Sequence, residues 1–258
     1  IRRKLFRIGW VHYTAKFSTA ETARYFNYLV ISQCGLASMP ARTQTFRPRS
    51  SSCMIRVKVY TEKGMPVKKG VGMFAREFMA YFPLIPAEDD GRLHDAKIRE
   101  NFIERIFTLR RWRETLASGK RMGNLVDFHT RNKLLILSHS QKHYRLMGKL
   151  VANGKQMPIE DLYHKYELLL MEALKLKTTI RKNGNVLQHL MGYFKKQLTA
   201  DEKQELLEVF DQYRNEYAPL LVPITLINHY VRKYDQPYLK QQTYLNPHPL
   251  ELKLRTYV

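Results

Sequence analysis

Helical periodicity over residues 183–249, near the C-terminal end, constrains the fold of this chain more than any other feature. Apolar residues recur there every three to four positions, in groups centred on Leu187, Leu206 and Ile224. Each group begins at residues that cap or start helices: Asn183 or Asn185, then Thr199 with Glu202 as a capping box, then Pro219 or Pro223. The pattern predicts three successive amphipathic helices.

Basic and aromatic residues lie between these apolar positions. The basic residues are Lys195, Lys196, Arg214, Arg232, Lys233 and Lys240, and the aromatic ones are Tyr193, Tyr213, Tyr230, Tyr234, Tyr238 and Tyr244. A helical surface with both residue types is typical of nucleic-acid binding. The alternative is structural, with the tyrosines at the rim of a core and the lysines on a solvated face.

Charge distinguishes this chain from an ordinary globular protein. Its 258 residues include 44 Lys and Arg against 23 Asp and Glu, a net charge of +21, and both halves around Ser118 are positive. Such a surplus favours a polyanionic partner, first nucleic acid and second an anionic membrane. No apolar run has the length of a membrane span, no signal-peptide pattern opens the chain, and Cys34 and Cys53 are too few for a disulfide framework. We therefore expect a reduced, cytoplasmic protein.

The pattern of the first part of the chain predicts both strands and helices. Residues 55–60 alternate as a half-exposed strand does, and residues 82–88 resemble a buried strand. Helices are predicted over residues 72–81 and from Asp95 to Gly119. The pattern predicts an α/β domain over residues 1–118, followed by an all-α domain over residues 119–258. The further helices expected in the second domain are Leu125–Ser138, Gln141–Asn153 and Ile159–Thr178.

Residues 121–149 hold the densest group of candidate binding side chains. With the lysines after residue 193, the predicted nucleic-acid contacts are Arg131, Lys133, His139, Lys142, His143, Tyr144, Arg145, Lys195 and Lys196. His139 and His143 are four residues apart and would share a face of a continuous helix, but no third metal ligand follows at suitable spacing. The structural alternative is a solvated basic face with one buried histidine.

Several segments resemble a known family. They are residues 57–107 (VKVYTEKGMPVKKGVGMFAREFMAYFPLIPAEDDGRLHDAKIRENFIERIF), residues 128–152 (FHTRNKLLILSHSQKHYRLMGKLVA), and NVLQHLMGYFKKQL, PLLVPITLINHY and YLNPHP further on. The first resembles a thiouracil-desulfidase-like domain and the others the helical domain fused to it. Together they resemble the two-domain tRNA 4-thiouridine desulfidases.

The resemblance implies a [4Fe-4S] cluster held by three cysteines, whose open iron takes sulfur from 4-thiouridine in tRNA to leave uridine. A soft iron centre suits sulfur acceptance. Cys53 would be the third ligand, Ser50 or Ser51 the active-site serine, and Cys34 the second ligand after a shift of about two positions. The loop of the first ligand, LFRIG, has no cysteine, and the family's catalytic glutamate has no counterpart. Two hypotheses follow: a tRNA desulfidase, or a non-catalytic tRNA- or RNA-binding protein without the cluster.

Overall fold

The computed structural model describes residues 73–89 and 92–256 of the chain, and all regular secondary structure in these residues is helical. Two compact units divide at Asp95, so that the second unit begins at Ala96. None of the helices in the described residues combines the length and hydrophobicity that a membrane span requires.

In the described residues the chain forms ten α-helices and two short 3₁₀ turns. The helices are α1 Met73–Tyr81, α2 Ala96–Ala117, α3 Met122–His139, α4 Gln141–Ala152, α5 Ile159–Lys175, α6 Ile180–Gly192, α7 Ala200–Arg214, α8 Leu221–Lys233, α9 Pro237–Lys240 and α10 Pro249–Thr256. The 3₁₀ turns are Arg92–His94 and Gly154–Gln156. The helices predicted from residue 122 onward correspond to α3 through α8, with ends that differ by a few residues.

The prediction of an N-terminal α/β domain is wrong for the residues that the structure describes. Helix α1 matches the helix predicted over residues 72–81, but residues 82–88 form a turn and loop in place of a strand. The amide of Phe82 still bonds to the Phe78 carbonyl at 2.8 Å, and Ile85 bonds back to Phe82 at 3.2 Å. Pro83 and Pro86 have no amide hydrogen to give to a sheet. The strand predicted at residues 55–60 lies outside the described residues.

Helix α2 begins at Ala96, the first residue of the second compact unit, which we call the helical unit. It packs against α3, α5 and α10. The helix ends where the sequence predicts, at Gly119, whose φ of +96° is a backbone conformation that favours glycine. The assignment of a desulfidase-like domain to residues 1–118 stays a prediction.

The starts of α6 and α7 show how local sequence sets the ends of these helices. Thr199 and Glu202 form the predicted capping box, in which each side chain accepts a hydrogen bond from the other residue's amide. The predicted cap at Asn183 or Asn185 is wrong, because Thr179 caps α6 and accepts from the Lys182 amide. Asn183 is buried inside the helix, and its side chain bonds to the hydroxyls of Tyr213 and Tyr244.

The second unit is built around two buried groups of side chains. The larger core combines residues of α3, α6, α7 and α8 with the segment after α9. The smaller group is aromatic: Trp112 stacks on Tyr166 at 5.2 Å and lies against Phe128 and Tyr163. Burial of large aromatic side chains supplies much of the hydrophobic free energy of a unit of this size. Helix α3 contributes to both groups and so forms the centre of the unit.

A buried ion network joins α10 to α2. Arg255 lies 2.9 Å from Glu104 and 2.8 Å from Glu100, and Arg111 lies 2.7 Å from Glu251. Glu104 and Glu251 are almost completely buried. Burial raises the pKa of Glu104, but the charge of Arg255, the hydrogen bond and charge of His139 and the charge of Arg111 together outweigh this effect and lower it. Glu104 is therefore an ionised carboxylate inside the unit.

Candidate nucleic-acid interface

Two segments of the second unit contain cations and no carboxylates. No Asp or Glu occurs between Asp127 and Glu160, or between Glu172 and Asp201. The first interval covers most of α3 and all of α4, and the second covers α6 and the turn that follows it. Both α4 and α6 pack against α3. These intervals therefore concentrate the positive charge of the unit on adjoining helices.

A cluster of one lysine and three tyrosines lies where these helices meet α9. We call Lys133, Tyr144, Tyr193 and Tyr238 the lysine–tyrosine cluster. The Lys133 ammonium lies 4.7 Å from the centre of the Tyr238 ring, and Tyr193 stacks on that ring at 5.3 Å with 23° between the planes. Burial raises the pKa of Tyr238, and the nearby Tyr144 adds to the effect. The structure thus brings together two of the predicted contacts, Lys133 and Tyr144, with two further tyrosines.

Hydrogen bonds from the segment after α9 fix this cluster against α3. The side-chain amide of Gln242 donates to the carbonyl of Thr130 at 2.9 Å, and the Thr243 amide donates to the carbonyl of Arg131 at 2.9 Å. Gln242 is completely buried. Because buried polar groups gain from being hydrogen-bonded, these contacts hold Tyr238 in place beside Lys133.

The turn after α6 presents Lys195 and Lys196 to solvent. Both lysines are exposed, and neither forms an ion pair within the described part of the chain. Between them and Tyr193 lies Phe194, which is completely buried next to Tyr230 and Tyr234. The turn is further tied by the Gln197 amide, which donates to the Phe194 carbonyl at 2.8 Å. Phe194 anchors the turn, so that its neighbours point away from the core.

Helix α4 carries three more exposed cations, Lys142, Arg145 and Lys149. Among the described residues none of them has an ion-pair partner, and the helix itself contains no acidic residue. Arg131 on α3 is also exposed, but it pairs with Asp127 at 3.0 Å. The cations of α4 are therefore free to contact phosphate groups, whereas Arg131 would first have to release its carboxylate.

The two predicted histidine contacts have different environments. His139 has no exposed surface: its Nε2 lies 3.1 Å from Glu104 and its Nδ1 lies 2.7 Å from the carbonyl of Leu176. His139 therefore presents no surface to a partner and lies outside the exposed group of predicted contacts. His143 is half-buried and faces Ser140 at 2.8 Å and Glu172 at 3.7 Å.

Helix α3 ends at His139 and α4 begins after Ser140, whose φ of −159° is extended. His139 and His143 therefore lie on separate helices, and the shared face that a continuous helix would give them does not exist. Within the described residues no group of three or more His, Cys, Asp or Glu side chains could hold a metal ion. Ser50, Ser51, Cys34 and Cys53 lie outside the described residues.

His129 belongs to the group of candidate side chains in residues 121–149 but is not among the predicted nucleic-acid contacts. Its Nδ1 lies 3.1 Å from the hydroxyl of the buried Tyr166, and Lys133 follows one helical turn later. Burial, with a smaller contribution from the Lys133 charge, lowers the pKa of His129 to about 4. His129 is thus neutral near pH 7.

Most of the helical unit matches a known protein family. Residues 133–249 match the family model described as "Protein of unknown function (DUF1722)". The chain is also 36% identical over 157 residues to "Uncharacterized protein YbgA" of Escherichia coli K12, an alignment that covers 60% of this chain and 93% of that protein. No solved structure matches.

The chain therefore belongs to the DUF1722 family. The matched residues run from Lys133 to Pro249 and include all four members of the lysine–tyrosine cluster, the cations of α4, and Lys195 and Lys196. The interface described above thus lies within the family domain.

Proposed function

We propose that the helical unit binds RNA through the surface formed by α4, the turn after α6 and the lysine–tyrosine cluster. The observation that carries this proposal is a set of exposed cations on α4 and in the turn after α6. These segments contain no carboxylates, and the cations have no ion-pair partners among the described residues. Cations without local partners can release the counterions of a nucleic acid when they neutralise its phosphates. The resemblance of the chain to tRNA 4-thiouridine desulfidases implies that tRNA is the RNA bound.

The donor set of the chain does not fit the cluster that the same resemblance implies. Three thiolates are required, and the chain has two cysteines, Cys34 and Cys53. We therefore derive no desulfuration step, and binding is the function that the described surface supports.

Salt dependence of tRNA affinity tests the proposal. The affinity of the full chain for a tRNA transcript should fall steeply with KCl concentration, as measured by fluorescence anisotropy. Replacing Lys142, Arg145 and Lys149 together with Ala should weaken binding and lower the slope of log K against log[KCl] by roughly two units, since each lost phosphate contact removes up to ~0.9 from the slope.

A matched variant controls for the loss of charge. Lys203→Ala, Arg214→Ala and Lys253→Ala together remove the same three charges from exposed positions on α7 and α10. This variant should bind nearly as the wild type does. Equal weakening by both triple variants, or equal affinity of the wild type for anionic lipid vesicles, would mean that the surface recognises charge without a defined RNA site.

A further inference from the structure

We infer that Tyr193 is a stacking platform for an unpaired nucleobase, flanked by Lys195 and Lys196 as phosphate contacts. The inference rests on the proposed RNA-binding function and names the part of the RNA that this surface recognises. An unpaired nucleotide has a flat π-face and an anionic phosphate, and the turn after α6 offers an exposed ring and two free cations within four residues.

The exposure of Tyr193 is the first observation. The residue is 42% exposed although its side chain is a large aromatic ring. One of its faces stacks on Tyr238, and no other ring contacts it within the described residues. The side chain therefore combines one stacked face with surface that is open to solvent, and that surface is available to a stacking base.

Pre-organisation of the ring is the second observation. Tyr238 packs on the core, and Lys133 lies over its ring at 4.7 Å. The next residue after Tyr193 is the completely buried Phe194, which fixes the backbone at this point. A ring that is already held in place loses little conformational entropy when a ligand stacks on it. This distinguishes Tyr193 from a surface tyrosine such as Tyr217, which is 84% exposed.

Charge is the third observation, and it selects a nucleotide over other flat ligands. Lys195 and Lys196 follow Tyr193 by two and three residues, and the acid-free interval extends from Ala173 to Ala200. A stacked base would bring its own phosphate, or that of the next nucleotide, near these ammonium groups. Base stacking on aromatic side chains together with lysine contacts to the backbone is a general mode of single-strand recognition.

The test uses the full chain and a single-stranded RNA with one 2-aminopurine, a base whose fluorescence falls when it stacks. Wild type and Tyr193→Phe should both quench it and bind alike, because both present a ring. Tyr193→Leu should abolish the quenching and weaken binding by about tenfold, with an unchanged salt slope, as expected for loss of one stacked base. Lys195→Ala with Lys196→Ala should instead lower the slope by roughly one to one and a half units.

The outcomes separate this inference from the proposed function. If Tyr193→Leu binds and quenches as the wild type does while the lysine variants weaken binding, the platform is refuted and the RNA-binding surface stands. The platform is also refuted if Tyr193→Leu weakens binding to fully paired duplex RNA as much as to the single strand. If the wild type binds no RNA, both are refuted. Equal thermal midpoints for Tyr193→Leu and Tyr193→Phe establish that a difference in RNA binding between them comes from the ring and not from a loss of folding.

Discussion

The buried carboxylate of Glu104 joins α10 to α2 and α3. Arg255 pairs with it at 2.9 Å, and His139 approaches it from α3 at 3.1 Å. We expect Glu104→Gln to lower the free energy of unfolding by about 3 kcal/mol, since it removes a buried counter-charge of Arg255 and leaves Glu100 and Glu251 as the remaining partners. Denaturant unfolding measures this change.

The same substitution at Glu114 is the control for Glu104. Glu114 also lies on α2 and pairs with Arg110 at 2.9 Å, but its side chain is 61% exposed. Glu114→Gln should cost less than about 0.5 kcal/mol, because solvent screens an exposed pair. The lowered pKa of Glu104 adds a pH dependence: the stability it contributes is present above the ordinary carboxyl pKa and is lost as pH falls through its lowered value. Similar losses for both variants would contradict the assigned role of the network.

His129 should make the unit less stable in mild acid. Its pKa in the folded state is about 4, below its ordinary value of 6.5, so between these values the unfolded chain binds a proton that the folded chain does not. Stability therefore falls as pH drops through this window. Between pH 7 and 4.5, His129→Gln should lose about 2 kcal/mol less than the wild type.

Urea unfolding at the two pH values gives the comparison for His129. His164→Gln, which replaces an exposed histidine of α5, serves as the control and should retain the pH dependence of the wild type. A pH dependence in His129→Gln that equals that of the wild type would show that His129 does not contribute.

At the scale of single elements, α7 depends on its capping box. The Thr199 hydroxyl accepts from the Glu202 amide, and the Glu202 carboxylate accepts from the Thr199 amide at 2.8 Å. Thr199→Ala should reduce unfolding free energy by about 1 kcal/mol, whereas Thr199→Ser, which keeps the hydroxyl, should cost only a few tenths. Thermal unfolding compares the two, and equal midpoints would show that the cap contributes nothing.

Elements whose signals are local could be predicted from the sequence. The capping box, the helix end at Gly119 and the amphipathic helices are encoded within a few residues of one another. The prediction of a strand over residues 82–88 is wrong because a short apolar run is compatible with a strand or a loop. The prolines of this segment were the better signal, since they indicate a loop. The prediction of a helix cap at Asn183 is wrong because its side chain forms hydrogen bonds with Tyr213 and Tyr244, which lie far along the chain.

Only the part of the candidate interface that depends on local sequence could be predicted. Exposed cations of α4 follow from composition and helical spacing, but the burial of His139 depends on Glu104, which belongs to another helix. The stacking of Tyr193 on Tyr238 beside Lys133 joins residues that are separated by several helices. Contacts of this kind arise from packing and leave no periodic signal in the sequence.

For the whole molecule, we predict that this polypeptide binds no stable [4Fe-4S] cluster. An open-iron cluster of the kind that the resemblance implies requires three thiolates, and the chain has two cysteines. Anaerobic reconstitution followed by iron and sulfide analysis should give iron far below stoichiometric. Near-stoichiometric iron that disappears with Cys53→Ala would overturn this prediction and support the desulfidase hypothesis.

Lysine footprinting on the full chain with tRNA tests whether the helical unit binds RNA through α4, the turn after α6 and the lysine–tyrosine cluster. Lys142, Lys149, Lys195 and Lys196 are exposed, and saturating tRNA should slow their acetylation. Lys203, on the acid-rich helix α7, and Lys253, on α10, should react at the same rate with and without RNA. Protection confined to Lys203 and Lys253, or unchanged reactivity of all these lysines while tRNA is bound, would show that RNA does not bind at this surface.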